Sequence, residues 1–94
     1  MASKPIDPKV VPQPQPGFHE EEIDSELVLY HPEAAQVVYL NPSATIVWCL
    51  CDGHRSLADI IAILQGEYPN QQTIEPDVHS AIYRFTNVGA ISLS

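Results

Sequence analysis

Hydrophobic and polar positions change their period partway along the chain. In residues 26–31, Leu27 and Leu29 alternate with Val28 and Tyr30, and in residues 36–40, Val37 and Tyr39 alternate with Val38 and Leu40. Pro32, Glu33, Ala34 and Ala35 punctuate the two runs, so the pattern predicts an antiparallel hairpin, with a first short strand over residues 18–23 before it. Both faces of this ribbon are apolar, which a freely solvated face would not be. After Asn41 the period becomes helical. Asn41 caps free N–H groups and Pro42 at the first helical position sacrifices none, which predicts a helix over residues 42–51 that stops at Asp52-Gly53. Ala44, Ile46, Val47, Trp48, Cys49, Leu50 and Cys51 leave it no polar side, so it is expected at the centre of the core.

A second helix opens at Ser56, with Asp59 completing a variant capping box, and carries Leu57, Ile60, Ile61 and Leu64 on one face until about residues 67–69. A third starts near Glu75-Pro76, aligns Val78, Ala81, Ile82 and Phe85, and ends at Gly89, after which residues 90–93 could form a short strand. Three antiparallel strands followed by three helices describe an α+β domain of winged-helix-turn-helix-like architecture.

The N-terminal residues contribute no such pattern. Five of the nine prolines fall in the first sixteen residues, which predicts a flexible or polyproline-like arm over residues 1–16 and a folded domain over residues 17–94. With 94 residues there is room for one core. No stretch approaches the roughly 18–20 apolar residues of a membrane span and no apolar signal segment follows Met1, so the expectation is a cytoplasmic chain without a membrane partner.

Charge narrows the function classes. Four Lys and Arg against twelve Asp and Glu give a net charge of -8, the reverse of what phosphate backbones attract. The helix-loop-helix over residues 42–68 suits a DNA-reading motif in shape, yet it offers Arg55, and the third helix Arg84, as its cations. A winged-helix transcriptional regulator is therefore the alternative reading, with nucleic acid disfavoured as a partner. A small enzyme or metal protein is a third. His19, His31, His54 and His79 are scattered without a nucleophile elbow, so no catalytic residues are assigned. Cys49 and Cys51 in one helix point about 200° apart and lack a second pair, so they are expected to be reduced core fillers rather than metal ligands, and no cofactor is expected. The run Glu20-Glu21-Glu22, with Asp24 and Glu26, fits a charged edge strand that resists mispairing.

One set of residues resembles a known family: Pro16-Gly17-Phe18, then Leu27 to Tyr30, Tyr39-Leu40-Asn41 with Ala44 three positions on, Cys51-Asp52-Gly53, and Asp77-Val78 opening the last helix. Together they are similar to the PqqD family of peptide chaperones, the RiPP recognition elements, over roughly residues 16–93. The resemblance implies a non-catalytic module that binds the leader of a ribosomally made precursor peptide. It would present that leader to a separate modifying enzyme of natural-product biosynthesis, often a radical S-adenosylmethionine enzyme. It also implies that the leader adds as a strand beside Gln36, Val37, Val38, Tyr39 and Leu40, against Val78, Ala81, Ile82, Arg84 and Phe85 of the last helix. Strand addition at a sheet edge gives sequence-tolerant backbone bonds, while pockets read alternate side chains. The small Ala81 would let a guest approach, and Arg84 suits an acidic leader side chain. Plain core packing is the competing account of Val78, Ile82 and Phe85, and a local ion pair that of Arg84. A homodimer is a further assembly that the chain admits.

Overall fold

The computed structural model describes residues 6–33 and 35–94. Residues 1–5 of the expected arm and Ala34 of the expected hairpin turn lie outside them. Strands β1 (Pro12–Pro14), β2 (His19–Ile23), β3 (Glu26–His31) and β4 (Gln36–Leu40) precede helices α1 (Pro42–Leu50), α2 (Leu57–Glu67) and α3 (Ile74–Asn87), and β5 (Ile91–Leu93) closes the chain. β2, β3 and β4 form an antiparallel sheet in that order, and β1 pairs antiparallel with β5 in a separate ribbon. The α+β class with a three-stranded sheet and three helices stands.

The β2–β3 turn consists of Asp24 and Ser25, both at positive φ (52° and 68°), as two-residue hairpin turns whose twist suits their strands require. Gly17 enters β2 at φ 95° and lies so close to the His31 ring that a Cβ there would stand 2.5 Å from Nε2. Phe18 meets the same ring edge-on, with centroids 5.1 Å apart. The start of β2 is thereby fixed against the end of β3.

Asn41 accepts the Ala44 amide at 2.8 Å and starts α1, and Ser56 and Asp59 exchange the reciprocal bonds of a capping box at α2. The core lies between the inner sheet face and the helices, around Phe85, Leu29, Leu57, Ile60 and Ile82, with Trp48 packed edge-on against Phe85 at 5.3 Å.

Three expectations need correction. First, the arm over residues 1–16 is not a free tail along its described part. Val11 and Ser94 exchange backbone bonds, Gln15 donates to the Ala90 carbonyl, Pro12 is fully buried, and Ile6 and Val10 pack against the core. Val10 and Pro8 also accept the Leu57 and Ala58 amides, two donors that the first turn of α2 leaves unpaired. The prolines permit this because Pro12 and Pro14 alternate with residues that hold the bonds to β5, so each missing N–H falls on the ribbon's outer edge. Second, α1 is not buried all round: Ala44, Val47 and Trp48 face the core, while Cys49 is exposed. Cys51, just past the helix, is the buried thiol, and burial pushes its pKa up to about 12. Third, Glu20 is more than a solvated edge charge, because it accepts a 2.5 Å hydrogen bond from the Trp48 indole N–H. That bond ties β2 to α1.

Candidate functional site

The sheet ends at β4. Alternation sends Val38 and Leu40 into the core at 5% and 2% exposure, and leaves Val37 and Tyr39 outside at 54% and 65%. The backbone alternates too. Arg84, in the last turn of α3, donates from Nη2 to the Tyr39 carbonyl at 2.8 Å, so this carbonyl points away from β3. Tyr39 and its partner Val28 are then a non-hydrogen-bonded pair, and the amides and carbonyls of both Tyr39 and Val37 face the open edge. Gln36, Val38 and Leu40 spend theirs on β3. The edge thus offers the unpaired row of donors and acceptors that a further strand would complete, except that Arg84 already occupies one lone pair of Tyr39.

The ten residues assigned to the site from the sequence divide into layers. Gln36, Val37, Tyr39 and Arg84 are exposed; Val38, Leu40, Ile82 and Phe85 are buried in the core. Val78 and Ala81, also buried, form part of the walls of two clefts on the α1–α3 side. The larger cleft, about 330 Å³, is lined by Pro42, Ser43, Ile46 and Val47 of α1, Leu64 and Tyr68 at the end of α2, Gln71, and Ile74, Asp77 and Val78 of α3. The smaller, about 90 Å³, lies among Asn41, Ser43, Ala44, Asp77, Ser80, Ala81 and Arg84. Sequence reasoning did not find these linings. Ile46 and Tyr68 read as core or surface until the helices are packed, although Ile74, Asp77, Ala81 and Arg84 share one helical stripe that the spacing alone displays.

Charge around the edge is sparse. Among the described residues Arg84 makes no ion pair, and Arg55 is held by Asp52 at 2.7 Å. Asp52 lies below the usual carboxylate range, because the His54 amide bonds it and Arg55 stands beside it. No group of three or more His, Cys, Asp or Glu side chains that could hold a metal ion occurs among the described residues, and no described helix is long and apolar enough to cross a membrane.

Fold and edge together define a class: a small α+β module with an open sheet edge flanked by its last helix. The family is settled by comparison. Residues 26–91 match the family model of coenzyme PQQ synthesis protein D, and the chain belongs to the PqqD family. It is 39% identical over 61 residues to the PqqA binding protein of Pseudomonas syringae pv. tomato, across 65% of this chain and 60% of that one. It is 36% identical over 75 residues to the PqqA binding protein of Pseudomonas entomophila, across 78% of this chain and 80% of that one. Two solved structures share the fold at 20% identity. TbiB1 in complex with the TbiA(beta) leader peptide matches with a TM-score of 0.70 over 85% of this chain and 94% of that one. Lasso peptide synthetase B1 complexed with the leader peptide matches with a TM-score of 0.72 over 87% of this chain and 98% of that one.

Proposed function

We propose that this chain is a leader-peptide-binding module without chemistry of its own, which takes a precursor leader as an added strand on β4 and presents it to a separate modifying enzyme. The observation that carries the reading is the β4 edge, whose outward amides and carbonyls at Val37 and Tyr39 lie beside α3 and its exposed Arg84. Family membership supports it: relatives are named for binding PqqA, and two proteins of the same fold are solved with leader peptides. The modifying enzyme is read as a radical S-adenosylmethionine enzyme and the setting as the cytoplasm. The site lies within one chain, so the reading requires no second copy.

Duplex DNA suits this surface poorly. At a net charge of -8, with Arg55 committed to Asp52, there is little to neutralise phosphates. The test is calorimetric titration of two probes, the PqqA peptide of Pseudomonas syringae and the TbiA(beta) leader peptide, into wild type and Arg84→Glu. At least one is expected to bind wild type and to bind Arg84→Glu at least tenfold more weakly. Binding of neither, or equal affinity for both proteins, contradicts the reading.

A further inference from the structure

The β4 edge does not end in open solvent. Where β4 passes into Asn41, the smaller cleft begins beside Arg84, and Ser43 and Asp77 line both this cleft and the larger one beyond. A single path therefore runs from the Tyr39 carbonyl along the α3 stripe Arg84, Ala81, Asp77, Ile74, with the start of α1 as its other wall. Its character changes on the way. It opens on a cation, narrows over the small side chains of Ala44, Ser80 and Ala81, passes the exposed carboxylate of Asp77, and widens among Ile46, Val47, Leu64, Tyr68, Ile74 and Val78.

Resting on the leader-binding reading, we propose that the larger cleft is an anchor pocket for the same peptide: the guest's flank beyond the C-terminal end of β4 follows this path and seats one large apolar side chain against Ile46, Tyr68 and Ile74. Continuity and charge select this occupant. The smaller cleft joins the larger through Ser43 and Asp77 and reaches Arg84 beside the proposed strand site, so the path carries a cation at its mouth and a carboxylate where the two clefts meet. Arg84 matches an acidic guest residue. Asp77, whose carboxylate accepts one bond from Thr73 Oγ1 at 2.9 Å, keeps its other oxygen for a basic one.

The helix sets the spacing. Ten residues separate Arg84 from Ile74, which at a rise of about 1.5 Å each is roughly 15 Å, and an extended guest at about 3.3 Å per residue covers that in four or five residues. The guest motif is therefore an apolar or aromatic anchor four or five positions from the residue that pairs with Tyr39, with a basic residue between them. The open edge of β4 at Val37 and Tyr39 holds the first contact in register, and the pocket adds side-chain selection to an edge whose backbone bonds select little.

The probe is a displayed library of random sixteen-residue peptides, selected on the full chain. Enriched peptides are titrated into wild type, Ser43→Trp, Tyr68→Ala and Arg84→Glu. Ser43 and Tyr68 are exposed, so both variants should fold, which circular dichroism checks; Ser43→Trp blocks the passage and Tyr68→Ala removes a wall. The expected result is a loss of tenfold or more with each pocket variant, and of the anchor's effect when the peptide's own apolar residue is changed to Ala. Peptides that lose affinity with Arg84→Glu yet bind Ser43→Trp and Tyr68→Ala as wild type overturn the anchor and leave strand addition standing. Peptides insensitive to Arg84→Glu, selection of no binder, or a pocket that takes free indole without competing with bound peptide each overturn the proposal.

Discussion

Proline substitution at two neighbouring positions of β4 distinguishes the inner from the outer backbone row. Val38 pairs with Leu29 and turns its amide toward it, whereas Tyr39 turns its amide to the open edge. Val38→Pro removes a ladder bond and leaves the carbonyl of Leu29, a fully buried residue, without its donor. An orphaned buried acceptor costs about 1–3 kcal/mol, and fitting a ring into an inner strand position adds to it, for roughly 2–4 kcal/mol in all. At about 4–8 °C per kcal/mol for a domain of this size, the melting temperature should fall by something of the order of 10–30 °C. Tyr39→Pro costs no ladder bond, keeps the carbonyl that Arg84 uses, and places Val38 before a proline in the extended conformation it already has. Its loss should stay within about 1 kcal/mol, while the missing amide deprives a guest strand of a bond. The assay is a thermal melt by circular dichroism, followed by peptide titration of whichever variant folds. A stable Val38→Pro and an unfolded Tyr39→Pro would refute the register and move the open row to the other residues.

Other expectations concern what holds the module together. Glu20→Ala leaves the nearly buried Trp48 N–H unpaired and should cost about 1–3 kcal/mol in urea unfolding, with Glu20→Gln recovering part of it; no difference between the two would dissolve the β2–α1 tie. Deleting residues 1–15 removes the buried Pro12, the partner strand of β5 and two acceptors at the start of α2, so the melt should fall by the equivalent of about 2 kcal/mol or more; coincident melts would contradict the packed ribbon. Iodoacetamide at pH 8 should label Cys49 in the native protein and Cys51 only after denaturation. The Cys51 proton is held more tightly folded than unfolded, its pKa rising from 9.0 to about 12, so its contribution to stability is full below about pH 9 and declines as pH rises from there toward 12. A native Cys51 that labels as fast as Cys49 would overturn its burial.

What the sequence discloses follows from where each signal is local. Asn41-Pro42 and Ser56 with Asp59 carry their own hydrogen-bonding logic within four residues, so the starts of α1 and α2 are legible without knowing what packs on them. The hairpin is legible because Leu27, Leu29, Val38 and Leu40 must share one face. The N-terminal ribbon is hidden in the sequence because proline signals broken structure, yet the run Pro12-Gln13-Pro14-Gln15-Pro16 has the period of a strand and puts every missing N–H on the outer edge. The exposure of Cys49 and the bond from Glu20 to Trp48 depend on which side of α1 meets the sheet, a tertiary choice that an apolar helix does not declare. The buried members of the candidate site, Ile82 and Phe85 among them, show the same limit: a helical stripe identifies the inner face of α3 but not which of its residues meet the core and which line a cleft.

The central claim is that a leader completes the sheet at β4, and amide hydrogen exchange followed residue by residue by NMR tests it directly. With saturating precursor peptide, the amides of Val37 and Tyr39, outward in the free protein, are expected to slow by at least tenfold, while those of β2 on the opposite edge of the sheet keep their rates. A bound peptide that leaves the Val37 and Tyr39 amides exchanging at their free rates, or that protects the β2 edge instead, would contradict the account.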